Sequence, residues 1–375
     1  MFTNPFAKRK IVTPTSHAPS RPAKESIPVT LLTGFLGAGK TTLLNEILQD
    51  PAMAHAAVIV NEFGSVAIDH VLVRTGSETY FQTTTGCICC TATSDIRASL
   101  HELHDAVEKG QVSPVDRVII ETTGLADPAP IINSLIPGGA PAIGLRDYIV
   151  ARNFHLAGVV TAFDVLSGRT MLQSIMEGWK QLAFADHVVL TKTDLVPDAH
   201  DWPAELRVLN PAARYHDRND PAFVLSDLFD HRRYSLAGRN EDVRGWIAME
   251  ALTSHADHLH DRNRHGDEIE AVPLVHDVPL DPQAVMTFLH IVTTNVNSGL
   301  LRLKGIFAVT DDPDRPIVAH AVQHKLYPLQ RLDAWPDDDR STRVVLIGQD
   351  MPLGPIRDLF EVLAPRQSRK RRRSR

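Results

Sequence analysis

The hydrophobic residues of the first two thirds of the chain recur in short apolar runs separated by amphipathic segments. The runs have the length and β-branched content of buried strands and lie at residues 29–32, 56–60, 115–120, 156–163 and 187–190. Helices are predicted at 42–49, 95–108 and near 171–185, short edge strands near 72–73 and 80–81, and an irregular connection at 137–153. This alternation predicts a doubly wound α/β fold with a mainly parallel sheet, whose ligands bind at the carboxyl ends of the strands.

The pattern changes in the last third of the chain. Residues 232–269 are polar and contain four histidines in a short segment, which predicts either a solvated linker or a segment that collects metal ions weakly. Strand candidates at 272–278, 306–310, 317–322 and 343–347, with helices at 282–292 and 356–363, predict a smaller C-terminal α+β domain. The predicted organisation is a disordered basic arm (1–27), a nucleotide-binding domain (28–231), the linker (232–269), the second domain (270–365) and a basic tail (366–375).

Composition narrows the class of protein. A chain of 375 residues with 43% hydrophobic and 22% charged residues is typical of a globular protein of about two domains. No apolar run approaches the roughly 18 residues of a membrane span, and we identify no secretory signal, so we expect a cytoplasmic protein without membrane contact. The tail carries seven positive charges and no negative one, which predicts a solvated segment with, at most, weak contact to nucleic acid.

A phosphate-binding loop follows the first apolar run. Residues 34–41, GFLGAGKT, match G-x-x-x-x-G-K-[ST] between a strand and a helix, which is the context that the motif requires. Backbone N–H groups of such a loop turn toward one phosphate, and the following helix favours anions at its N-terminus. Lys40 is expected to neutralise the β- and γ-phosphates, and the Thr41 hydroxyl to bind Mg²⁺.

Two further motifs follow predicted strands. Thr191-Lys192-Thr193-Asp194 occupies the position that reads Asn-Lys-x-Asp in GTP-binding proteins, where the aspartate accepts the two hydrogen bonds that guanine, but not adenine, donates. Glu121 is the candidate for the Mg²⁺ shell and Gly124, three residues later, for the contact with the γ-phosphate. Asp127 either orients water or caps a helix. Because no arginine finger is assignable, we expect slow hydrolysis.

The three cysteines of the chain lie together as Cys87, Cys89 and Cys90. Their spacing argues against a disulfide framework and favours a metal site in a reducing compartment over a redox pair or a buried apolar cluster. Thiolates are soft ligands suited to Zn²⁺ or Cu(I), and three of them leave one position of a tetrahedral site open. Glu62 is a candidate for the fourth ligand.

Together, GFLGAGKTT (34–42), NEFG (61–64), TGCICC (85–90), ETTGLADP (121–128) and TKTDL (191–195) resemble the CobW family of P-loop GTPases. The resemblance extends over about 28–364, and it departs from the family pattern at Thr191 and at Ser65 and Ala67. It implies that the residues around the nucleotide are Gly34, Phe35, Leu36, Gly37, Ala38, Gly39, Lys40, Thr41, Thr42, Gly124, Thr191, Lys192 and Asp194, and that the metal-bound cysteines are Cys87, Cys89 and Cys90.

The resemblance implies a GTPase that binds GTP or GDP with Mg²⁺ and is coupled to a metal site, with Zn²⁺ expected and Co²⁺ as the alternative. We therefore expect a GTP-hydrolysing metallochaperone whose partner is a client metalloprotein. Whether the protein forms a homodimer is left open by the sequence. A cobalt-handling factor in cobalamin synthesis and a simple metal buffer are the alternative functions.

Overall fold

We describe the protein from a computed structural model. It describes residues 26–60, 70–73, 81–82, 92–136, 144–174, 176–196, 199–229, 269–295 and 299–363. These residues form two sheets, the first from strands between residues 27 and 217 and the second from strands between residues 269 and 349. In these ranges no helix is both long and apolar enough to cross a membrane.

The first sheet has eight strands in the order β4-β3-β2-β5-β1-β6-β7-β8. The six strands from β2 to β8 along this order are parallel to one another, whereas β3 and β4 pair antiparallel at one edge. The strands are β1 (Ile27–Gly34), β2 (Ala56–Val60), β3 (His70–Val73), β4 (Phe81–Gln82), β5 (Arg117–Glu121), β6 (Phe154–Asp164), β7 (His187–Thr191) and β8 (Arg214–Asp217). The predicted α/β fold with its mainly parallel sheet is confirmed.

Helices cover both faces of this sheet, which explains why its central strands read as continuous apolar runs. The helices are α1 (Lys40–Gln49), α2 (Ala92–Glu108), α3 (Pro128–Leu135), α4 (Leu145–Asn153), α5 (Gly168–Ser174), α6 (Met176–Phe184) and α7 (Trp202–Leu209). One apolar cluster, with Leu100 and Ile132, packs on one face, and another, with Leu43 and Ile47, packs on the other.

The structure departs from the sequence prediction in one connection and adds further elements. The connection predicted as irregular at 137–153 contains α4, whose first turn holds the buried Asp147 in an ion pair with Arg97 of α2 at 3.3 Å. Such a charged contact leaves no apolar periodicity to recognise. The helical stretch predicted near 171–185 is confirmed by α5 and α6. Finally, α7 and β8 were not predicted, although a proline in the first turn of α7 is a usual start signal.

The second sheet confirms the predicted C-terminal α+β domain. Its strands are antiparallel in the order β12-β11-β10-β14-β9, with β13 beside β11. The elements are β9 (Ile269–His276), α8 (Pro282–Asn295), β10 (Leu300–Phe307), β11 (Ile317–Val322), β12 (Lys325–Leu326), β13 (Gln330–Arg331), β14 (Thr342–Gln349) and α9 (Leu353–Val362). Phe288 of α8 and Phe360 of α9 meet over the sheet, with ring centroids 5.4 Å apart.

A buried ionic cluster joins the two domains. Asp186, between α6 and β7, is 7% exposed and accepts a hydrogen bond from Lys304 Nζ at 2.8 Å. Arg302 donates to the same carboxylate and to the carbonyl of Phe184 at the end of α6. The second Asp186 oxygen accepts from the Val159 N–H at 2.9 Å. The C-terminal sheet is therefore attached where α6 ends and β7 begins.

We expect Asp186→Ala to lower the free energy of unfolding by about 3–5 kcal/mol, because the substitution leaves two buried cations without this carboxylate. Chemical denaturation measures the effect. The matched control is Asp333→Ala, since Asp333 forms a surface pair with Arg315 and is 88% exposed; it should cost less than about 1 kcal/mol. Equal effects of the two substitutions would contradict the role of the cluster.

His320 lies opposite Lys304 in the β10–β11 ladder and makes stability depend on pH. Burial, together with Lys304 and Arg302, lowers the pKa of His320 to about 3, while Asp186 opposes the shift. Between this value and the ordinary one, the unfolded chain binds a proton that the folded chain does not, so stability falls as the pH falls through this window.

We therefore expect the free energy of unfolding to decrease with falling pH by up to about 1.4 kcal/mol per pH unit more in the wild type than in His320→Gln. Denaturation curves from about pH 6 to pH 4 test this. His200→Gln is the control, because it removes an imidazole from the surface. Parallel pH profiles of wild type and His320→Gln would refute the prediction.

Candidate nucleotide site

Five neighbouring parallel strands, in the order β5-β1-β6-β7-β8, end at one edge of the first sheet. Their last residues are Glu121, Gly34, Asp164, Thr191 and Asp217. The nucleotide motifs predicted far apart in the sequence are therefore brought together at the carboxyl edge.

The phosphate loop leaves the sheet at Gly34. A Cβ atom there would lie 2.3 Å from the carbonyl oxygen of Ala162 on β6, so only glycine fits. The loop ends at Gly39, whose φ of 87° places it in the left-handed region at the N-terminus of α1. No side chain caps this helix, which leaves the N–H groups of its first turn for an anion.

Lys40 is held inside the loop. Its ammonium donates to the carbonyls of Gly34 at 2.8 Å and Phe35 at 3.0 Å, and the residue is 8% exposed. Burial lowers the pKa of Lys40, and the carboxylate of Glu121 opposes the shift. These bonds keep the cation between the phosphate loop and the end of β5.

Thr41 and Glu121 offer adjacent oxygen atoms. The Thr41 hydroxyl donates to Glu121 Oε1 at 3.3 Å, although the two residues are 80 positions apart in the sequence. Glu121 is 7% exposed, whereas Thr41 and Thr42 face outward. A hydroxyl beside a carboxylate is a donor set that suits Mg²⁺.

The segment after β5 lies against the phosphate loop. The Thr122 N–H donates to the Leu32 carbonyl at 3.0 Å, and the Thr122 hydroxyl donates to the Thr33 hydroxyl at 2.9 Å. Both bonds fix Thr122 to β1. A Cβ atom on Gly124 would lie 2.5 Å from the nitrogen of Leu36, so the close approach requires glycine. Gly124 therefore lies directly beside the phosphate loop.

Asp127 has two partners in the structure. One oxygen accepts from the Ala129 N–H at 2.9 Å and caps α3; the other pairs with Lys180 of α6 at 2.8 Å. The helix-capping role that the sequence offered is thus present. A role in orienting water would require Asp127 to release one of these bonds.

Thr191 connects the base-facing segment to the phosphate loop. Its hydroxyl is hydrogen-bonded to the carbonyls of Ala38 at 2.9 Å and Phe163 at 3.3 Å. The side chain is buried and its methyl group lies near Gly39. A hydroxyl at this position therefore braces the two loops against each other.

Lys192 is oriented by Asp164, a residue that the sequence prediction missed. Lys192 Nζ donates to Asp164 Oδ2 at 2.6 Å. The backbone of Lys192 lies in the left-handed region, with φ 59°. Burial raises the pKa of the Asp164 carboxyl, but hydrogen bonds from Lys192, Ser167 and Leu166 outweigh it, so the pKa is lowered. The position of Asp164 at the end of a predicted strand was the available signal.

Asp194 contacts a second residue that the prediction missed. Asn219, in the loop after β8, donates its amide to Asp194 Oδ1 at 2.9 Å and to Thr193 Oγ1 at 2.8 Å. Arg218, beside it, donates to Glu46 of α1 at 2.8 Å. The loop after β8 is thus attached to both the base-facing segment and the helix that follows the phosphate loop.

The predicted metal ligands Cys87, Cys89, Cys90 and Glu62 lie outside the described residues, so their role stays a prediction. In the part of the chain that the structure describes, there is no group of three or more His, Cys, Asp or Glu side chains that could hold a metal ion.

We expect Thr191→Val to weaken GTP binding about 5- to 10-fold, because the buried carbonyl of Ala38 loses its donor, at a cost of about 1 kcal/mol. Titration with a fluorescent GTP analogue measures this. Thr191→Ser retains the hydroxyl and is the matched control. If the valine and serine variants bind equally well, the proposed brace does not contribute to the site.

Comparison with known proteins places these features in a family. The family model described as "CobW/HypB/UreG, nucleotide-binding domain" matches residues 28–217, and that described as "Cobalamin synthesis protein cobW C-terminal domain" matches residues 269–364. Among curated relatives, zinc chaperone YjiA of Escherichia coli is 30% identical over 334 residues, which cover 89% of this chain and 98% of the relative. Zinc chaperone CobW of a Sinorhizobium species is 28% identical over 367 residues, which cover 92% of this chain and 99% of the relative.

A shorter match covers just under half of the chain. Zinc-regulated GTPase metalloprotein activator 1 of Schizosaccharomyces pombe is 35% identical over 179 residues, or 46% of this chain and 40% of that protein. The crystal structure of Zn(II)-bound YjiA GTPase from E. coli superposes with a TM-score of 0.67 at 26% identity and covers 91% of this chain and all of that one. On this evidence, the chain belongs to the CobW/HypB/UreG family and carries the C-terminal domain of the CobW proteins.

Proposed function

We propose that this protein is a GTP-hydrolysing metallochaperone that binds Zn²⁺ at Cys87, Cys89 and Cys90 and delivers it to a client metalloprotein. The observation that carries the proposal is the convergence of the phosphate loop, Glu121 and the base-facing segment at one edge of the sheet. The cysteines lie in the chain between β4 and α2, two elements of the same domain. Because the nucleotide site and the thiolate motif belong to one domain, nucleotide binding and Zn²⁺ binding can be coupled.

The nucleotide half of the proposal assigns each group a task. Lys40 and the N–H groups of residues 34–42 bind the phosphates, and Asp194 binds the guanine base. Thr41 and Glu121 would hold Mg²⁺, which when bound neutralises charge on the β- and γ-phosphates. The Gly124 N–H contacts the γ-phosphate, so the segment after β5 responds to whether that phosphate is present.

The metal half rests on the chemistry of the cysteines and on the relatives. Three thiolates bind Zn²⁺ tightly while leaving a position for a fourth ligand, which we assign to Glu62 or to the client. Two relatives that match most of the chain are named zinc chaperones, which favours Zn²⁺ over the Co²⁺ alternative. The proposed compartment is the cytoplasm, where reducing conditions keep thiols available.

The test is the coupling between nucleotide and metal. Coupling is reciprocal, so a non-hydrolysable GTP analogue must change Zn²⁺ affinity by the factor by which Zn²⁺ changes the affinity for the analogue. We expect a change of about 5- to 100-fold between the analogue and GDP, measured by competition with a zinc-sensitive chelator. Cys89→Ser should lose Zn²⁺ binding but keep nucleotide binding.

Lys40→Ala provides the complementary control, because it should retain Zn²⁺ binding and lose the response to nucleotide. Identical Zn²⁺ affinities of the wild type with the analogue and with GDP would rule out a nucleotide-driven chaperone. Retention of full Zn²⁺ affinity in Cys89→Ser would instead reject the cysteine site.

A further inference from the structure

Gln181 of α6 supports the segment that lies beside the phosphate loop. Its side-chain amide donates to the carbonyls of Gly124 and Ala126, both at 3.1 Å. The residue is 1% exposed, so these bonds form away from water. Both hydrogens of the amide are used, and both bonds end on the three-residue stretch that begins at Gly124.

The helix is itself fixed around Gln181. The Gln181 carbonyl accepts a bond from the Thr161 hydroxyl of β6 at 2.8 Å, and the neighbouring Lys180 pairs with Asp127 at the end of the same loop. The helix therefore contacts the loop at three points. A shift of Gly124 toward or away from a γ-phosphate would have to break or lengthen these bonds.

The C-terminal end of α6 lies at the junction with the C-terminal domain. Arg302 of β10 donates to the carbonyl of Phe184, which is three residues, or nearly one helical turn, beyond Gln181. It also donates to Asp186, which follows the helix. A second contact runs from α3, where Asn133 donates to Gln323 in the turn between β11 and β12 at 3.3 Å.

We propose that Gln181 is a positioning residue for the loop that contacts the γ-phosphate, and that α6 connects this loop to the C-terminal domain through Arg302. The C-terminal domain thereby sets how readily the loop responds to GTP. In the other direction, the nucleotide state affects the contacts of Arg302. This inference rests on the proposed function, because it takes Gly124 as the γ-phosphate contact.

The first test compares Gln181→Leu, which has nearly the same volume but no donor, with wild type. We expect the affinity for a GTP analogue and kcat for GTP hydrolysis to fall about 10-fold each, while GDP affinity changes less than about 2-fold. An equal loss for both nucleotides, or a loss of thermal stability alone, would show a merely structural role. Gln181→Asn, which keeps an amide on a shorter side chain, covers the case in which Gln181→Leu does not fold. It should also lower the affinity for the GTP analogue relative to the affinity for GDP.

The second test examines the link to the C-terminal domain. Arg302→Ala should reproduce the selective loss of GTP-analogue affinity, and its effect should not add to that of Gln181→Leu, because both act on one helix. Arg343→Ala is the matched control. Arg343 is an equally buried arginine of the C-terminal sheet, paired with Asp337 and Asp339, and should affect stability only.

The outcomes separate this inference from the proposed function. If wild type neither binds nor hydrolyses GTP, the proposed function fails. If wild type is active and Gln181→Leu keeps the wild-type ratio of GTP-analogue to GDP affinity, the positioning role is refuted. If Arg302→Ala and Arg343→Ala give the same nucleotide affinities at a temperature where both are folded, the link through α6 is refuted.

Discussion

The packing of Gly34 against the carbonyl of Ala162 is the constraint on which the site depends. The parallel register of β1 and β6 puts these two residues side by side, and no Cβ fits between them. Gly34 also has a φ of 140°, which lets the chain leave the sheet at this point and turn into the phosphate loop and α1. Lys40, Thr41 and the free N–H groups of the helix then face the carboxyl edge, where β5 and β7 also end.

The rest of the edge is organised around this turn by single polar contacts. Thr191 reaches the phosphate loop at Ala38, Asp164 holds Lys192, and Asn219 holds Asp194. Each contact joins the ends of different strands. The site is thus a set of loops fixed to one another as well as to the sheet.

The junction of the two domains follows a different principle. Asp186 neutralises buried cations from the C-terminal sheet, and this carboxylate is placed by the main chain of β6 as well. Burial of such a cluster is costly unless every group is paired, so the junction tolerates few relative positions. The loop beside the phosphate loop is hydrogen-bonded to Gln181 of α6, and the junction is bonded to Phe184 of the same helix nearly one turn later, so α6 contacts both.

The sequence by itself predicted most of the strand and helix order, the phosphate loop and Asp194 as the candidate that binds guanine. These features are local: the strands are apolar runs, and a loop that wraps a phosphate needs its glycines and lysine at fixed spacing within eight residues. The C-terminal α+β domain was also predictable from its apolar runs. The helix α4 was not, because its first turn is held by the Arg97–Asp147 ion pair and not by an apolar stripe.

Only the tertiary structure decided which residues support the site. Thr191 and Ala38 are 153 residues apart, Gln181 and Gly124 are 57 apart, and Arg302 and Asp186 are 116 apart. A hydrogen bond between such residues leaves no periodicity or spacing in the chain, because it exists only after the strands have aligned. The sequence therefore shows the groups that would touch the nucleotide, whereas the fold shows the groups that hold them in place.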